Sequence, residues 1–412
     1  MLAAVLVTLA GAYAVVVCAF AAGATSLRRA ARLETPLPDD RLPRAAVIVA
    51  ARNEEHRLPR CLDALLAQDY PVDHLTVVVV DDHSSDGTAA VVERFLRRAE
   101  VRMPAPASVS AGSPVASALA GDDRPASGAV PRVVGIQAPG GGTLRGKAAA
   151  VHAGILAADD FEAEVILFTD ADCAPPPGWC RALASRLTEP GVGIACGRTE
   201  VDATAIGRSR MAEAEALDWI YLLTAAAVLT ERVAPATGMG NNMGLRREAY
   251  DEVGGFHGVR HSVTEDHALF HAVTTRTRWR PRFPLDPALA VQTLPLGRLG
   301  EVYVQRRRWA RGGLVAGPVL FGLYSLIHLA HLALIVAAGL AVAGLFPPAA
   351  FVAMLAAKFG ADCLLFRAAL PDDRRWLLRS TLAAEGLILL YFSTLPLSLV
   401  LAPVIRWKGR RH

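Results

Sequence analysis

Acidic residues in this sequence stand where apolar runs end. EVILFT (164–169) leads directly into Asp170-Ala171-Asp172. Two carboxylates one residue apart at a strand end can share a divalent cation, and oxygen ligands suit Mg²⁺ or Mn²⁺. A cation bridging Asp172 and a diphosphate would stabilise that diphosphate as a leaving group. A second acidic pair, Asp81-Asp82, closes LTVVVV (75–80) and is followed by HSSDGT. There Asp86-Gly87 reads as a turn and Thr88 as the start of a helix. A carboxylate here, Asp82, can accept hydrogen bonds from a base or ribose. Arg52-Asn53-Glu54-Glu55 follows AAVIVAA (45–51). Arg52 can stack on a base and Glu54 can bond to it, with helix capping by Asn53 as the rival reading.

Further along, Gly146-Lys147 opens the small-residue segment KAAAVHAGI. A lysine at a helix N-terminus is poorly placed for the dipole but well placed to meet a phosphate held there. Thr264-Glu265-Asp266 precedes HALFHAV. Thr264 can cap and both acids suit a first turn. Asp266 is also a candidate general base, since a hydroxyl nucleophile must lose its proton as a new bond forms. Residues 305–309 read QRRRW. Arg306, Arg307 and Arg311 fit a basic interfacial helix with a tryptophan anchor. Arg308 and Trp309 can also bind a diphosphate and stack on an acceptor. GMGNN (238–242) reads either as a tight turn or as the wall of an acceptor pocket, ahead of a helix with Arg246, Arg247 and Tyr250.

These residues need a scaffold that gathers strand ends. Between 45 and 295 strand-like and helix-like segments alternate: AAVIVAA, LTVVVV, RVVGIQ (132–137), EVILFT and GIACG (193–197), with helical spacing over 54–68. Continuous Val/Ile/Leu runs separated by helices predict a parallel sheet covered on both faces, with ligands at the carboxyl ends of its strands. Residues 102–131 are dominated by Ala, Pro, Ser and Gly and read as a flexible insertion.

Hydrophobic residues make up 53% of the chain and charged residues 20%. Mean hydropathy is +0.32, with the apolar excess at the two ends. Residues 2–27 carry no Asp, Glu, Lys, Arg or His, and Arg28, Arg29 and Arg32 follow. That run spans a bilayer core of ~30 Å. The basic flank predicts an outward N-terminus and a cytoplasmic domain behind it. The run is too long for a signal peptide, and it has no basic residue ahead of it. Residues 314–357 lack Asp, Glu, Lys and Arg, enough for about two crossings. A third run covers 381–405, interrupted by Glu385. The basic loop at 367–379 and the tail at 406–412 both read as cytoplasmic, which one span between them does not satisfy. An interfacial course for 314–325 leaves two or three spans. The expected order is an anchor (1–27), a basic linker (28–44), a catalytic domain (45–295), an interfacial segment (296–313), a membrane region (314–405) and the tail. The net charge of +4 gives nucleic-acid binding little support, and six scattered cysteines show no zinc-like spacing.

NEE, DDHSSDGT, DAD, TED and QRRRW in this order resemble glycosyltransferase family 2, in particular its membrane-bound D, D, D, QxxRW branch of polysaccharide synthases and lipid or ceramide glycosyltransferases. The resemblance covers roughly 45–312. It implies a GT-A fold and an inverting single displacement from a UDP-sugar with Mg²⁺ or Mn²⁺. Carried over, Asp82 binds the nucleoside, Lys147 and Asp170 the diphosphate and Asp172 the metal. Asp266 is the base, and Gln305, Arg308 and Trp309 close the donor and acceptor sites. His152 departs from the family pattern, standing where Asn is common, and the 102–131 insertion is unusual. Two or three C-terminal spans favour a lipid acceptor over a processive polymer synthase, whose channel needs more. A nucleotidyltransferase would need a glycine-rich loop after the first strand, which VAARNEE does not offer. A non-catalytic membrane scaffold would not need intact Asp170, Asp172, Asp266 and Arg308.

Overall fold

The β-branched runs form strands because their alternating side chains meet apolar layers on both faces. The computed structural model describes residues 1–102, 131–139, 143–202, 209–259, 262, 264–313, 317–401, 406–407 and 410–411. Helix α1 (Leu2–Leu33) opens the chain. It is followed by β1 (Ala45–Ala51), α2 (Leu58–Leu66), β2 (Leu75–Asp81), α3 (Thr88–Arg102), β3 (Arg132–Gln137), α4 (Lys147–Ala157) and β4 (Val165–Asp170). Next come β5 (Cys173–Ala174), α5 (Trp179–Leu187), β6 (Val192–Cys196), β7 (Thr199–Val201), α6 (Arg210–Arg232), β8 (Asn242–Arg246), α7 (Arg247–Glu252) and α8 (Gly255–Gly258). The chain continues through α9 (Glu265–Arg276), β9 (Arg280–Arg282), β10 (Val291–Thr293), α10 (Leu299–Gly313), α11 (Pro318–Val342), α12 (Pro348–Ala369) and α13 (Thr381–Leu401).

Seven strands pair in the order β3-β2-β1-β4-β8-β6-β9, with a second sheet β5-β10-β7 beside them. Strands β3, β2, β1 and β4 are parallel. Ile48, Val78, Val80, Ile166 and Phe168 face one core with α4 and α6. Their neighbours Val47, Val49, Val77, Val79 and Leu167 face the other, with α2 and α5. Register sets Ala51 beside Asp81 and Ala50 beside Asp170, so the acidic ends of β2 and β4 flank β1.

Four expectations need correction. The helix expected from residue 54 begins at Leu58, because Asn53 takes a left-handed turn (φ 55°) and Pro59 fits only a first helical turn. The last residue of GMGNN, Asn242, begins β8, antiparallel to β4 and β6, which takes in Arg246 before the helix with Arg247 and Tyr250 begins. The first helix runs on to Leu33, past residue 27, and Arg28 on it donates to the carbonyls of Ala368 and Leu370, closing α12. Residues 318–342 form one helix, with no separate interfacial piece. The insertion at 102–131 falls, but for its two ends, outside the described residues.

Four helical segments are long and apolar enough to cross a membrane: Leu2–Leu33, Pro318–Val342, Pro348–Ala369 and Asp372–Leu401. They hold a charged cluster among them. Lys358 on α12 lies 2.9 Å from Asp362 and also pairs with Glu385 on α13. Asp362 accepts the Tyr13 hydroxyl at 2.7 Å, and that hydroxyl lies 2.9 Å from the Tyr221 hydroxyl on α6. An ion in an apolar bundle persists only when paired in this way. The substitution Lys358→Met leaves buried Asp362 and half-buried Glu385 without their cation and should lower stability by ~3–5 kcal/mol. Thermal unfolding of the detergent-solubilised chain measures this, and Lys358→Met/Asp362→Leu/Glu385→Leu should regain most of the loss.

Candidate active site

The carboxyl edge of the parallel strands carries the chemistry. At the end of β1, Asn53 accepts from the Ser85 N–H at 2.8 Å, and its own N–H donates to Ser84 at 3.0 Å. Asn53 therefore ties two loops together and does not cap a helix. Asp81 accepts from the Ser84 N–H at 3.0 Å, and Asp86 from the Thr88 N–H at 3.0 Å, so both shape the turn. Asp82 points instead to Arg52, 3.5 Å away. Glu54 is buried, its N–H donating to Thr88 at 2.8 Å and its carboxylate lying 3.4 Å from Arg57.

Lys147 is the first residue of α4, reached through Gly146 at φ 62° and ψ −140°, a conformation open to glycine. Its ammonium lies 2.5 Å from Asp170 and 3.5 Å from Glu265. Burial works against its charge, but Asp170, Glu265 and Asp266 outweigh burial and hold the ammonium well above its ordinary range. Burial raises the Glu265 carboxyl, and Asp266 adds to this while Lys147 and Arg308 oppose it. Lys147, Asp170, Glu265, Asp266 and Arg308 thus share one electrostatic neighbourhood. Burial raises the Cys61 thiol, and the carboxylates of Asp172, Asp170 and Glu54 add to the effect, so Asp172 and Asp170 both lie near Cys61.

Asp266 sits in the first turn of α9. Its Oδ2 accepts the Gly240 N–H at 2.7 Å and its Oδ1 the His267 N–H at 2.8 Å. GMGNN is the wall behind this carboxylate. A Cβ on Gly240 would meet the Asp266 Cβ at 2.8 Å, and one on Gly238 would meet that of Phe270 at 2.5 Å. Thr264 occupies the cap position without a side-chain bond to the helix, and Gly312 of α10 packs against it.

Arg308 and Gly312 of α10, four residues apart, lie toward α9. Arg306 and Trp309 meet Asp218 and Trp219 of α6, and Gln305 accepts from Arg306. Arg306, read from sequence as an interfacial cation, is 2% exposed and paired with Asp218. The loop arginines read as cytoplasmic flags are likewise engaged with the protein: Arg374 lies 2.9 Å from Glu200, and Arg379 pairs with Glu213. Sequence reasoning missed Glu265 as a partner of Lys147 and Asp218 as a partner of Arg306. The usable signal was Glu213, Glu215 and Asp218 standing among Ala, Leu and Trp in the first half of α6.

Among the described residues no group of three or more His, Cys, Asp or Glu gathers as a metal cluster. The donor set still fits Mg²⁺ or Mn²⁺, which are commonly held by one or two carboxylates with substrate phosphates completing the shell. Asp170 and Asp172 offer those carboxylates, with Lys147 as a second cation beside them.

Residues 144–412, about two thirds of the chain, match the sequence model described as glycosyl transferase family 21. The chain belongs to glycosyl transferase family 21. Residues 46–104 match glycosyl transferase family 2, which covers β1, β2 and the NEE and DDHSSDGT segments that follow them. Among curated relatives, this family 21 chain is 24% identical over 274 residues to the beta-monoglucosyldiacylglycerol synthase of Synechocystis, covering 66% of this chain and 48% of that protein. It is 25% identical over 159 residues to glycosyltransferase AglE of Haloferax volcanii, covering 39% and 40%. The chain spans less than half the length of these relatives. Among solved structures, the mannosyltransferase PcManGT from Pyrobaculum calidifontis, in complex with GDP-Man and Mn²⁺, aligns with a TM-score of 0.58 at 19% identity. That alignment covers 97% of this chain and 99% of the other, a likeness of fold. The expected GT-A architecture with flanking apolar helices is the one observed.

A methyl group on Gly240 has room only if the Asp266 carboxylate moves. Gly240→Ala should therefore lower transferase turnover about a hundredfold, the scale of an ångström-level misplacement, with a thermal midpoint near wild type. Steady-state kinetics and thermal unfolding of the purified variant check this.

Proposed function

We propose that the chain is an inverting glycosyltransferase of the D, D, D, QxxRW type. It moves a sugar from a nucleotide-diphosphate sugar, a UDP-sugar, to a membrane lipid at the cytoplasmic face. The observation that carries this reading is the convergence of Lys147, Asp170, Glu265 and Asp266 at the carboxyl edge of the sheet. Asp82, beside Arg52, binds the nucleoside, with Glu54 behind it. Lys147 and Asp170 hold the diphosphate. Mg²⁺ or Mn²⁺ bound by Asp172 would neutralise part of the charge that the diphosphate gains on leaving.

In the transfer, the acceptor hydroxyl oxygen bonds to the anomeric carbon while the carbon–oxygen bond to the diphosphate breaks. The hydroxyl proton passes to Asp266, whose carboxylate is held in place by the Gly240 and His267 N–H groups. The electron pair leaves with the nucleoside diphosphate, where Lys147 and Arg308 meet the new negative charge. A single displacement inverts the anomeric configuration. Gln305 and Trp309 complete the acceptor side.

A lipid acceptor is supported by the printed activity of the Synechocystis relative and by the three C-terminal apolar segments beside the site. The segment 372–380 packs on the catalytic domain through Arg374 and Arg379, which supports one side of the membrane for both. A processive polymer synthase would need more spans to form a channel.

Purified full-length chain in detergent, given extracted membrane lipids, should release nucleoside diphosphate from one of UDP-glucose, UDP-galactose, UDP-N-acetylglucosamine or GDP-mannose. Mass spectrometry should show a glycolipid of inverted linkage. Asp266→Asn should cut acceptor-dependent release by about 10²–10⁴ while leaving donor affinity intact. EDTA should stop turnover and Mn²⁺ or Mg²⁺ restore it. Release from none of the four donors, or an Asp266→Asn variant as active as wild type, would sink the assignment.

A further inference from the structure

Asp218 has no solvent exposure and stands in the middle of α6, among Leu217, Trp219 and Ile220, which are likewise buried. Its Oδ2 accepts Nε of Arg306 at 2.7 Å and also pairs with Nη2 of the same guanidinium. Its Oδ1 accepts the Tyr391 hydroxyl of α13 at 2.6 Å. One carboxylate therefore joins three helices. Arg306 passes this constraint on along α10. Its Nη1 donates to the Gln305 side chain at 2.5 Å. Its guanidinium lies over the Trp309 ring at 4.3 Å and over that of Trp219 at 5.5 Å. The two indoles meet edge to face at 4.8 Å. Gln305 and Trp309, the two residues of the motif on the acceptor side, are thus both oriented by Arg306.

We infer that Asp218 is a positioning residue for sugar transfer: through Arg306 it sets the orientation of Gln305 and Trp309, so the acceptor side is assembled only when α6, α10 and α13 are docked on one another. The inference rests on the glycosyltransferase reading above. A buried ion pair is a poor source of stability, since neutral or apolar partners of similar volume commonly replace it without loss. What those partners do not reproduce is a planar guanidinium whose Nε and Nη2 both donate to one carboxylate oxygen, which holds it at a fixed angle. Two further acids of α6 support the same frame. Glu215 accepts the N–H groups of Leu296 and Gly297, at 3.0 and 3.3 Å, just ahead of α10, and Glu213 pairs with Arg379 ahead of α13.

The test compares full-length wild type, Asp218→Asn, Asp218→Asn/Arg306→Gln and Trp309→Phe in detergent. Three quantities are read: the thermal midpoint, the circular-dichroism couplet of the Trp219–Trp309 pair, and steady-state turnover with extracted lipids. The donor is whichever of UDP-glucose, UDP-galactose, UDP-N-acetylglucosamine and GDP-mannose the wild type uses. Asp218→Asn should lower the midpoint, because it leaves a buried guanidinium without its counterion, and the double variant should regain it. Both should lose the couplet, as Trp309→Phe does. Both should show kcat reduced by about tenfold or more with the donor KM within about threefold, the pattern of an interaction lost only in the transition state. A double variant with restored midpoint and wild-type kcat would reduce the pair to structural glue and overturn the inference. So would a couplet unchanged in Asp218→Asn. If the wild type turns over no donor, the transferase reading itself fails, and the couplet still decides whether Asp218 orients Trp309.

Discussion

Carboxylates gathered at one edge of a sheet repel one another, and the whole site is organised by how that repulsion is relieved. Asp82, Asp170, Asp172, Glu265 and Asp266 come from three strand ends or loops and one helix start. Within the fold their counter-charges are few and specific. Lys147 stands between Asp170 and Glu265, Arg52 faces Asp82, and Arg308 reaches the Glu265 side. Burial raises the Glu265 carboxyl, and the neighbouring Asp266 charge adds to that rise. On the proposed reading, a diphosphate with its divalent ion would compete with Asp170 and Glu265 for the Lys147 ammonium.

The second feature of the molecule is the way the catalytic layer is fastened to the apolar helices. The interface is a continuous apolar core, and buried charges run through it. Arg198 pairs with Glu200 at 2.5 Å and donates to the Ala369 carbonyl at the end of α12. Arg28 closes the same helix end from α1. Glu213 and Asp218 on α6 hold Arg379 and Arg306. Each pair is directional, so the layers are fixed in angle as well as in contact. Helix α6 is the hub. It faces the sheet on one side, receives α10 on another, and meets α1, α12 and α13 through Tyr221 and Asp218. The motif helix α10 is therefore set by the bundle as much as by the sheet.

Much of this was legible without coordinates. The parallel strands β1, β2 and β4 followed from apolar runs, because a strand buried on both faces must be apolar throughout. The ends of those runs located Asp82, Asp170 and Asp172. The glycine ahead of Lys147 and the Thr-Glu-Asp ahead of α9 marked helix starts by local backbone and capping preferences. The apolar segments followed from length and hydropathy alone. These are properties of a residue and its near neighbours.

What tertiary structure alone decided is which distant groups meet. Glu265 rather than Asp266 comes within 3.5 Å of Lys147. Gly240 braces Asp266 across 26 positions of chain, and Arg306 turns inward to an aspartate 88 residues before it instead of outward to lipid. Local preferences cannot express such choices, because a buried charge is tolerable only if a partner arrives from elsewhere, and that arrival depends on how helices stack. The sequence by itself determined the strands, the helix starts and the kinds of chemistry available. The packing of α6, α9 and α10 determined which carboxylate faces which cation, since Coulomb energy depends on separation in space and not along the chain.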